Sequence, residues 1–580
     1  MTRASMVALL PRGNPLAAGT LQRFDAASRS VGLTPHHLAS GAAVAIAGPA
    51  AVGPASAIVG EVFGQSGMSR PAPDALTLHL TEKGGTLADR GIWGDFLALA
   101  RSADKSGHQI ARSPFGNLPC FWVEERGHVL AATSAPLLEA YALARPAVDW
   151  RGMALFLLSP QMRNGSTSLQ GVRELSPGFT LEVGPGRSAV RPHWSPWDFA
   201  CSADPYDSLE EAAAVVEAAL DHAIAARCSS LHEPVLLLSG GLDSSAIAAS
   251  LAQGGHRFSA LTMVTRHRSG DERRYASVVA EATGAPLTEC LRSTADIDWD
   301  ETTPRRLVRP SARLFRQPTL HAALRRARET GSDTIIDGGG GDDIFCALTS
   351  VVPLLDRLAI EGPGRGSWRT ARDIALRANV DILTVVAKAA RRRLSGRVAF
   401  RWPTVADFLS QDTRTLAHDA AAHPWLDPPP GALPGQAAHA ALVLDSLGLS
   451  EDDSIDPAIR TISPLVAQPV VEAALRVRSW LWFKDGRNRV VIRHALAQRL
   501  PAAIVERSGK GTPGGFMGEL VEDHRGRLRD SLLGGMLAAH GLVDPVAIEA
   551  ALAERASIRE QRYGQLLILA DAERWARLWS

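Results

Sequence analysis

The sequence predicts an α/β protein in two parts: a β-rich sandwich over residues 1–200, and a doubly wound parallel sheet with a helical C-terminal portion over residues 208–580. The first part consists of short apolar runs separated by Gly and Pro, which is typical of strands in a sandwich. In the second part, apolar runs alternate with longer helical patterns, as they do in parallel sheets with helices on both faces. After Asp343 the pattern becomes mostly helical.

Length and composition limit the possible classes of protein. A chain of 580 residues is long enough for several domains, and 46% apolar with 21% charged residues is ordinary for a globular protein. Lys and Arg number 62 and Asp and Glu 61, so the formal net charge is +1, and we expect neither nucleic acid nor a membrane as a partner. The five cysteines are an odd number without a Cys-x-x-Cys pattern, which disfavours a disulfide scaffold or zinc cluster and predicts a cytoplasmic location.

The first part contains an uncharged segment, 38–60, that is rich in Ala and Gly and holds two prolines. Its alternating runs favour buried strands over a membrane span. The segment 191–206, which contains Trp194 and Trp197 among pattern breaks, is predicted to be a linker. Strands of the first part are predicted at 43–47, 57–62, 116–123, 127–133 and 179–183.

The second part opens with an Ala-rich amphipathic pattern, and Gly284 and Gly331 end two of its later helices. Its helices are predicted at 209–226, 244–253, 271–283 and 319–330, and its strands at 235–238, 258–265 and 334–337.

A loop of Gly and Ser follows the first of these strands, with the sequence Ser239-Gly240-Gly241-Leu242-Asp243-Ser244. Glycines let backbone N–H groups close around an anion, serines add hydroxyl donors, and a helix N-terminus supplies partial positive charge. A carboxylate beside a phosphate needs a cation between them, so Asp243 predicts Mg²⁺. The alternative is a plain strand-to-helix turn, but the carboxyl end of a strand in such a sheet is where ligands bind, which favours a phosphate loop.

A second loop, Asp337-Gly338-Gly339-Gly340-Gly341-Asp342-Asp343, follows the strand at 334–337. Its glycines allow the main chain to approach a ligand closely, and Asp342 is predicted to complete the Mg²⁺ site with Asp243. Alone, this segment would be read as a flexible acidic turn. Its place at another strand end favours a nucleotide site.

These loops carry a resemblance to a known family. The Ser239–Ser244 loop matches the pyrophosphate-loop signature of ATP pyrophosphatases. Together with Asp271-Glu272-x-x-Tyr275-Ala276 and Gly338-x-Gly340-x-Asp342, it resembles the asparagine synthetase superfamily. The resemblance implies an ATP-binding domain of the PP-loop type over 208–580.

The first part resembles the glutaminase domain of the same superfamily. The resemblance rests on Trp93-Gly94-Asp95-Phe96 and on Arg112-Ser113-Pro114-Phe115-Gly116-Asn117-Leu118-Pro119, and it implies an Ntn-type sandwich over 1–200. A functional glutaminase of this type has Cys at position 2 as its nucleophile, whereas this chain has Thr2 there and Cys120 inside the chain. We therefore expect a vestigial glutaminase fold that produces no ammonia.

Several segments of the C-terminal part extend the likeness: His423-Pro424-Trp425-Leu426, Leu433-Pro434-Gly435, Ser463-Pro464-Leu465-Val466-Ala467-Gln468-Pro469, Trp480-Leu481-Trp482, Gly486-Arg487-Asn488-Arg489 with Arg493, and Arg507-x-x-Lys510-Gly511. Together they resemble lasso-peptide cyclases, which are asparagine synthetase homologues that close a macrolactam in a ribosomal peptide. Asparagine and β-lactam synthetases carry Lys where Arg489 stands. Because Arg stays charged, we expect it to neutralise phosphate or a tetrahedral intermediate instead of transferring a proton. Lys510 is the nearest Lys and a candidate for a catalytic role.

The resemblance implies an ATP- and Mg²⁺-dependent ligase. An Asp or Glu side chain of a precursor peptide is adenylated, and the peptide's N-terminal amine then forms an isopeptide bond. A leader peptidase and a leader-binding protein are implied as further partners. Two alternatives stay open: an asparagine synthetase-like or β-lactam synthetase-like enzyme acting on a small molecule, and a non-catalytic peptide-binding relative. The implied residues are Asp243, Asp342, Arg489 and Lys510 for catalysis, Asp243 and Asp342 for the metal, and Leu238, Ser239, Gly240, Gly241, Asp243, Ser244, Met263, Asp337 and Gly338 for the nucleotide.

A basic run between Lys388 and Arg401 permits two interpretations, a docking site for an acidic peptide or partner and a solvated helix face, and the second is favoured. Five tryptophans could line a peptide groove, and at least half of them are expected in the core: Trp368, Trp402, Trp425, Trp480 and Trp482.

Overall fold

A computed structural model gives the fold. It describes residues 4–64, 92–102, 106–142, 145–229, 231–266, 270–302, 307–311, 313–449, 456, 458–509, 511, 514–553 and 560–580. Among these residues no helix combines the length and the apolar character needed to cross a bilayer.

Two antiparallel sheets, each of six described strands, pack face to face in the N-terminal half. Strand β1 shows the layering, because its Met6 and Ala8 belong to the core between the sheets while Val7 and Leu9 face a second core under the helices at 18–30 and 150–158. The sandwich predicted from the short apolar runs is therefore confirmed. One sheet has the strand order β10-β8-β9-β1-β3-β2 and the other β12-β11-β7-β6-β5-β4. The strands are β1 (Ser5–Pro11), β2 (Thr34–His37), β3 (Ala43–Ala47), β4 (Ala50–Val52), β5 (Ala57–Gly64), β6 (Ile92–Arg101), β7 (His108–Arg112), β8 (Phe121–Glu125), β9 (His128–Ala132), β10 (Arg173–Glu174), β11 (Phe179–Gly184) and β12 (Arg187–Pro192).

A parallel sheet with the order β15-β14-β13-β16-β17 forms the second half of the fold. Neighbouring residues of β13 point to opposite faces: Leu236 packs with the helix at 242–253, and Val235 packs with the helix at 313–330. Helices thus cover both faces, which confirms the doubly wound arrangement. The strands are β13 (Val235–Leu237), β14 (Ser259–Val264), β15 (Leu287–Leu291), β16 (Thr334–Ile336) and β17 (Arg460–Ile462).

The α-helices are Ala18–Ser30, Ala135–Tyr141, Trp150–Leu158, Trp197–Ala200, Leu209–Cys228, Leu242–Gln253, Arg273–Thr283, Arg313–Thr330, Gly341–Ile344, Val352–Ile360, Arg365–Ala378, Ile382–Leu394, Gln411–Thr415, Ala417–Ala420, Pro434–Leu449, Gln468–Leu475, Val490–Ala495, Ala502–Val505, Gly514–Asp523, Arg525–Leu533, Met536–Ala539, Pro545–Ala553 and Glu560–Trp579. Short 3₁₀ turns lie at Thr294–Asp296, Pro424–Leu426, Pro464–Val466 and Ser479–Trp482. The helical character expected after Asp343 is confirmed.

The segment 191–206, predicted to be a linker, is instead packed structure. Trp194 and Trp197 are buried, and the Trp194 indole donates a hydrogen bond of 2.9 Å to Glu472. Its ring also lies edge-on to Trp425, 5.1 Å between centroids. The prediction was wrong because the three prolines of the segment were given more weight than its aromatic side chains, which need burial.

Polar contacts also join the two halves. The Arg227 guanidinium, on the helix at 209–228, donates to both carboxylate oxygens of Asp95 at 2.7 and 3.2 Å, and both side chains are largely buried. The Asn117 amide donates to the Thr461 carbonyl in β17 at 2.7 Å. Two segments of the glutaminase-like motifs therefore touch the second half of the chain.

Candidate active site

The glycine–serine loop begins where β13 ends, and Gly241 is the N-cap of the helix at 242–253. Gly240 has φ of +66°, and a Cβ there would lie 2.4 Å from Tyr275. Both the backbone conformation and the available space therefore require glycine at this position.

Hydroxyl groups and amides shape the inside of this loop. The Ser239 and Ser244 hydroxyl oxygens lie 3.3 Å apart. The Ser239 N–H donates to the Ser244 hydroxyl at 3.2 Å, and the Gly241 N–H donates to the Ser239 hydroxyl at 3.3 Å. These donors surround the N-terminus of a 12-residue helix, an arrangement that suits a phosphate group.

The second loop packs directly against the first. A Cβ on Gly341 would lie 2.6 Å from the Asp243 carboxylate carbon, and a Cβ on Gly338 would lie 3.1 Å from the Ser244 nitrogen. Asp337, at the start of this loop, accepts hydrogen bonds from the Gly339 N–H at 3.0 Å and from a serine hydroxyl of the segment after β17 at 2.5 Å. Asp337 thus holds the loop in shape from its first residue.

Arg489 joins the two predicted acidic residues. Its Nη1 lies 3.0 Å from Asp243 Oδ1, 3.2 Å from Asp243 Oδ2 and 2.5 Å from Asp342 Oδ1. The side chains of Arg489 and Asp243 are 11% exposed, whereas that of Asp342 is 43% exposed. The structure therefore brings Asp243, Asp342 and Arg489 to one place at the carboxyl ends of the strands.

The backbone and surroundings of Arg489 are unusual. Its φ of +54° lies in the left-handed region, where a residue with a side chain is disfavoured by about 1 kcal/mol. Its Nε is buried and has no acceptor among the described residues. Burial, and then the nearby charge of Arg489, lower the pKa of Arg493 to about 10. The Nε donor of Arg489, free among the described residues, can therefore serve an anion that enters the site.

The residues of this site fit the phosphate chain of ATP, but Arg489 lies where a Mg²⁺ ion shared by the two carboxylates would bind. The buried Nε of Arg489, the loop hydroxyls and the helix N-terminus all offer hydrogen-bond donors. Asp243 and Asp342 converge closely enough to share one cation, but the Arg489 nitrogen lies between them. If both carboxylates hold Mg²⁺, the ion neutralises phosphate charge, and the guanidinium has to move aside. No group of three or more potential metal ligands occurs in the part of the chain that the structure describes.

Two residues to which the sequence assigned no role brace the first loop. Arg507 donates to the Gly240 carbonyl at 3.0 Å and to Glu272 at 2.6 Å, and its guanidinium carbon lies 3.8 Å from the centre of the Tyr275 ring. Glu272 also accepts the Gly511 N–H at 3.0 Å. Both residues stand in the segments that carry the family resemblance, which was the available signal.

Three predicted residues remain: Leu238 and Met263, which lie near strand ends, and Lys510. Leu238 is buried, and its N–H donates to the Leu261 carbonyl of β14 at 2.8 Å. Met263 lies two residues further along β14 and is partly buried, so both residues are at the carboxyl ends of adjacent strands. Lys510 lies outside the described residues.

The N-terminal half offers no described nucleophile of the expected kind. Thr2 is outside the described residues. Cys120 is fully buried, and burial raises the pKa of its thiol to about 12. A thiol in that environment stays protonated near neutral pH and is not a nucleophile.

Comparison with known proteins places the chain. The asparagine synthase family matches residues 215–577. This chain belongs to that family. The carboxyethyl-arginine β-lactam-synthase of Streptomyces clavuligerus is 26% identical over 304 residues, which are 49% of this chain and 54% of that protein, so the chain spans about half the length of this relative.

Two solved structures align with somewhat more than half of the chain. The allosteric regulatory enzyme of purine biosynthesis is 10% identical with a TM-score of 0.18, covering 58% of this chain and 84% of that one. Glutamine phosphoribosylpyrophosphate amidotransferase from B. subtilis is 9% identical with a TM-score of 0.19, covering 59% and 77%. Scores this low do not establish a shared fold.

Proposed function

We propose that this chain is a lasso-peptide cyclase, a ligase that uses ATP to join an Asp or Glu side chain of a ribosomal core peptide to the peptide's own N-terminal amine. The observation that carries the proposal is the cationic Arg489, placed between Asp243 and Asp342 beside the glycine–serine loop. A relative named for the synthesis of a β-lactam supports ring closure, because a β-lactam is a cyclic amide. The C-terminal segments that resemble lasso-peptide cyclases support a peptide as the substrate.

Activation is the first chemical task. A carboxylate is a poor electrophile, so its oxygen attacks the α-phosphorus of ATP, which gives an acyl-adenylate and releases pyrophosphate. Ser239, Ser244 and the helix N-terminus hold the departing phosphates through hydrogen bonds. Arg489 offsets negative charge that grows on the reacting phosphate.

Amide formation is the second task. The α-amine of the peptide attacks the acyl carbon, AMP leaves, and the amine loses one proton. A free α-amine has a pKa near about 8, so a substantial fraction is neutral without a strong base. The larger barrier is to hold the peptide in the shape that closes the ring, and such positioning can contribute on the order of 7–11 kcal/mol. We propose that the helical C-terminal portion supplies that template.

The test is incubation of the purified chain with ATP, Mg²⁺ and a candidate core peptide, followed by mass spectrometry and nucleotide analysis. We expect the peptide product to be lighter than the substrate by one water. For each product molecule, one AMP and one pyrophosphate should be released. Asp243→Asn should abolish the product, whereas Asp198→Asn, a change at an exposed aspartate on the helix at 197–200, should not. AMP formation with free aspartate and ammonia, but not with peptide, would instead support a small-molecule synthetase. No nucleotide cleavage with any acceptor would support a non-catalytic relative.

The finer assignments follow from the same resemblance. We propose that residues 1–200 form a vestigial Ntn-type glutaminase fold and that residues 208–580 form the PP-loop synthetase domain. A leader peptidase and a leader-binding protein would supply the leader-free peptide, and the cytoplasm, where ATP is abundant, would be the location. A neighbouring gene for a short precursor peptide would support this set of partners.

A further inference from the structure

Three consecutive helices, at 352–360, 365–378 and 382–394, pack together around a small core of their own. On the third helix, Val385 and Ala389 belong to this core. The side of that helix that faces the other two helices is therefore buried, and its opposite side, which faces solvent, is expected to be polar.

The opposite side is instead apolar and exposed. Leu383 is 75% exposed, Val386 44% and Leu394 88%, and the exposed Ala387 and Ala390 lie between them. The spacings from Leu383 are 3, 4, 7 and 11 residues, which place all five side chains on one face of a helix. We call this face the 383–394 stripe. An apolar stripe in water is unfavourable unless something covers it.

The neighbouring helix at 365–378 adds exposed apolar surface. Trp368 and Leu376 are each 59% exposed. Trp368 is the one exposed member of the five tryptophans considered from the sequence. Trp402, Trp425, Trp480 and Trp482 are buried, which confirms that most of them are core residues.

Positive charge surrounds the stripe. Residues 365–397 contain nine Lys and Arg and two Asp, a net charge of +7, whereas the whole chain has +1. Arg391 and Arg393 are exposed, and helical geometry places them on the two sides of the stripe. The basic run is thus mostly exposed, in agreement with the favoured interpretation, but it borders an apolar face that the run of charges did not indicate.

We infer that the 383–394 stripe is a docking site for an amphipathic helix with acidic flanks, carried by a separate protein. Leucines at the two ends and alanines in the middle leave a shallow groove that accepts a helix at close range. Arginines on both sides pair with carboxylates that flank the apolar face of the partner. A membrane-binding face would carry bulky residues along its centre, where this stripe has one valine, Val386, and two alanines, Ala387 and Ala390. The inference does not depend on the proposed function.

Binding of a synthetic helical peptide to the full chain tests the inference. The probe has a leucine stripe with Glu on both sides, labelled for fluorescence anisotropy, and the comparison peptide has Lys in place of Glu. The Glu peptide should bind, more weakly as salt is raised, and the Lys peptide should bind at least about tenfold more weakly. Two double variants should each weaken binding of the Glu peptide by about tenfold or more. One combines Leu383→Ser with Leu394→Ser, and the other combines Arg391→Glu with Arg393→Glu.

Val546→Ser is the matched control, because Val546 is 79% exposed on the distant helix at 545–553 and its loss should leave binding unchanged. All of these side chains are exposed, so circular dichroism should show the same fold in every variant. The inference is overturned if the Glu peptide does not bind or if the two peptides bind equally. It is also overturned if binding survives the stripe variants. Stripe-dependent binding of phosphatidylcholine–phosphatidylglycerol vesicles without peptide binding would show a membrane site instead, and stripe-dependent self-association in sedimentation would show an interface between copies of the chain.

Discussion

Replacing Arg489 by Met removes the charge between Asp243 and Asp342 while keeping much of the side-chain volume. At 3.0 Å and an effective dielectric constant of about 20, the attraction between Arg489 and Asp243 is about 5 kcal/mol before desolvation is subtracted. Asp342 is 43% exposed, so water screens its share of the interaction. We therefore expect Arg489→Met to lower the free energy of unfolding by about 3 kcal/mol, at the lower end for a broken buried pair.

The same variant should affect adenylation and its response to Mg²⁺. Loss of one donor aimed at developing charge typically reduces the rate by a factor of about 10²–10³, which peptide-dependent ATP–pyrophosphate exchange measures. In the variant, Mg²⁺ can take the place of the missing cation, so adding Mg²⁺ should raise the midpoint of thermal unfolding more than it does in the unaltered chain. Arg489→Lys keeps the positive charge, so its exchange rate and its response to Mg²⁺ should lie between those of Arg489→Met and those of the unaltered chain.

Arg487→Met is the matched control, since Arg487 is exposed two residues away and its loss should change neither quantity. The interpretation of Arg489 would be refuted if Arg489→Met unfolded at the same temperature, responded equally to Mg²⁺ and kept its exchange rate. Such a result would mean that the two carboxylates need no internal cation.

Three further predictions concern the loop, the contact between the halves and a buried acid. Gly240→Ala should lower the temperature of unfolding and abolish ATP binding. Gly255 also has a positive φ, +70°, but has open space around its Cβ, so Gly255→Ala should lower the free energy of unfolding by only about 1 kcal/mol. Equal losses of stability in the two variants would contradict the steric argument. Asp95→Asn removes the carboxylate that accepts two hydrogen bonds from the buried Arg227 guanidinium and should lower stability by about 3 kcal/mol in urea unfolding, an effect that a surface contact would not produce. Burial raises the pKa of Asp356 to about 6. As the pH rises from about 4 to 6, this carboxyl ionises in the unfolded chain but stays protonated in the folded chain, so stability falls by about 3 kcal/mol. Asp356→Asn should therefore gain stability relative to the unaltered chain across that window, and a difference independent of pH would be evidence against the raised pKa.

The fold was predictable from sequence wherever the pattern was local and strong. Strand β13 has only three residues, but all three are apolar and a recognisable helix pattern follows it. Strands β15 and β17 were not predicted, because β15 at the sheet edge is only half-buried and β17 has one apolar residue among three. The helix at 313–330 was predicted over 319–330 only; it begins six residues earlier and continues through Pro318, a residue that is disfavoured inside helices.

The site shows the same division between local and distant information. The glycine–serine loop is contiguous in sequence, so its residues could be recognised together as one candidate phosphate loop. The bridge from Arg489 to Asp243 joins residues 246 positions apart, and no periodicity indicates such a contact. The sequence predicted Asp243 and Asp342 as metal ligands and Arg489 as a neutralising charge. The structure shows that these roles compete for one position, because one guanidinium nitrogen contacts both carboxylates.

The N-terminal half contacts the second half of the chain near the candidate site, although its Cys120 is not reactive. Asn117 donates to the Thr461 carbonyl in β17, and the next residue but one, Ser463, donates to Asp337 at 2.5 Å. Asp337 in turn holds the Gly339 N–H and so shapes the second loop of the site. A short, continuous path of hydrogen bonds and backbone therefore runs from the segment around Asn117 to the second loop of the candidate site. Movement of β17 away from the sheet would remove the Ser463 contact and loosen Asp337, so the Asn117 contact helps to hold this edge strand, and with it the second loop, in place.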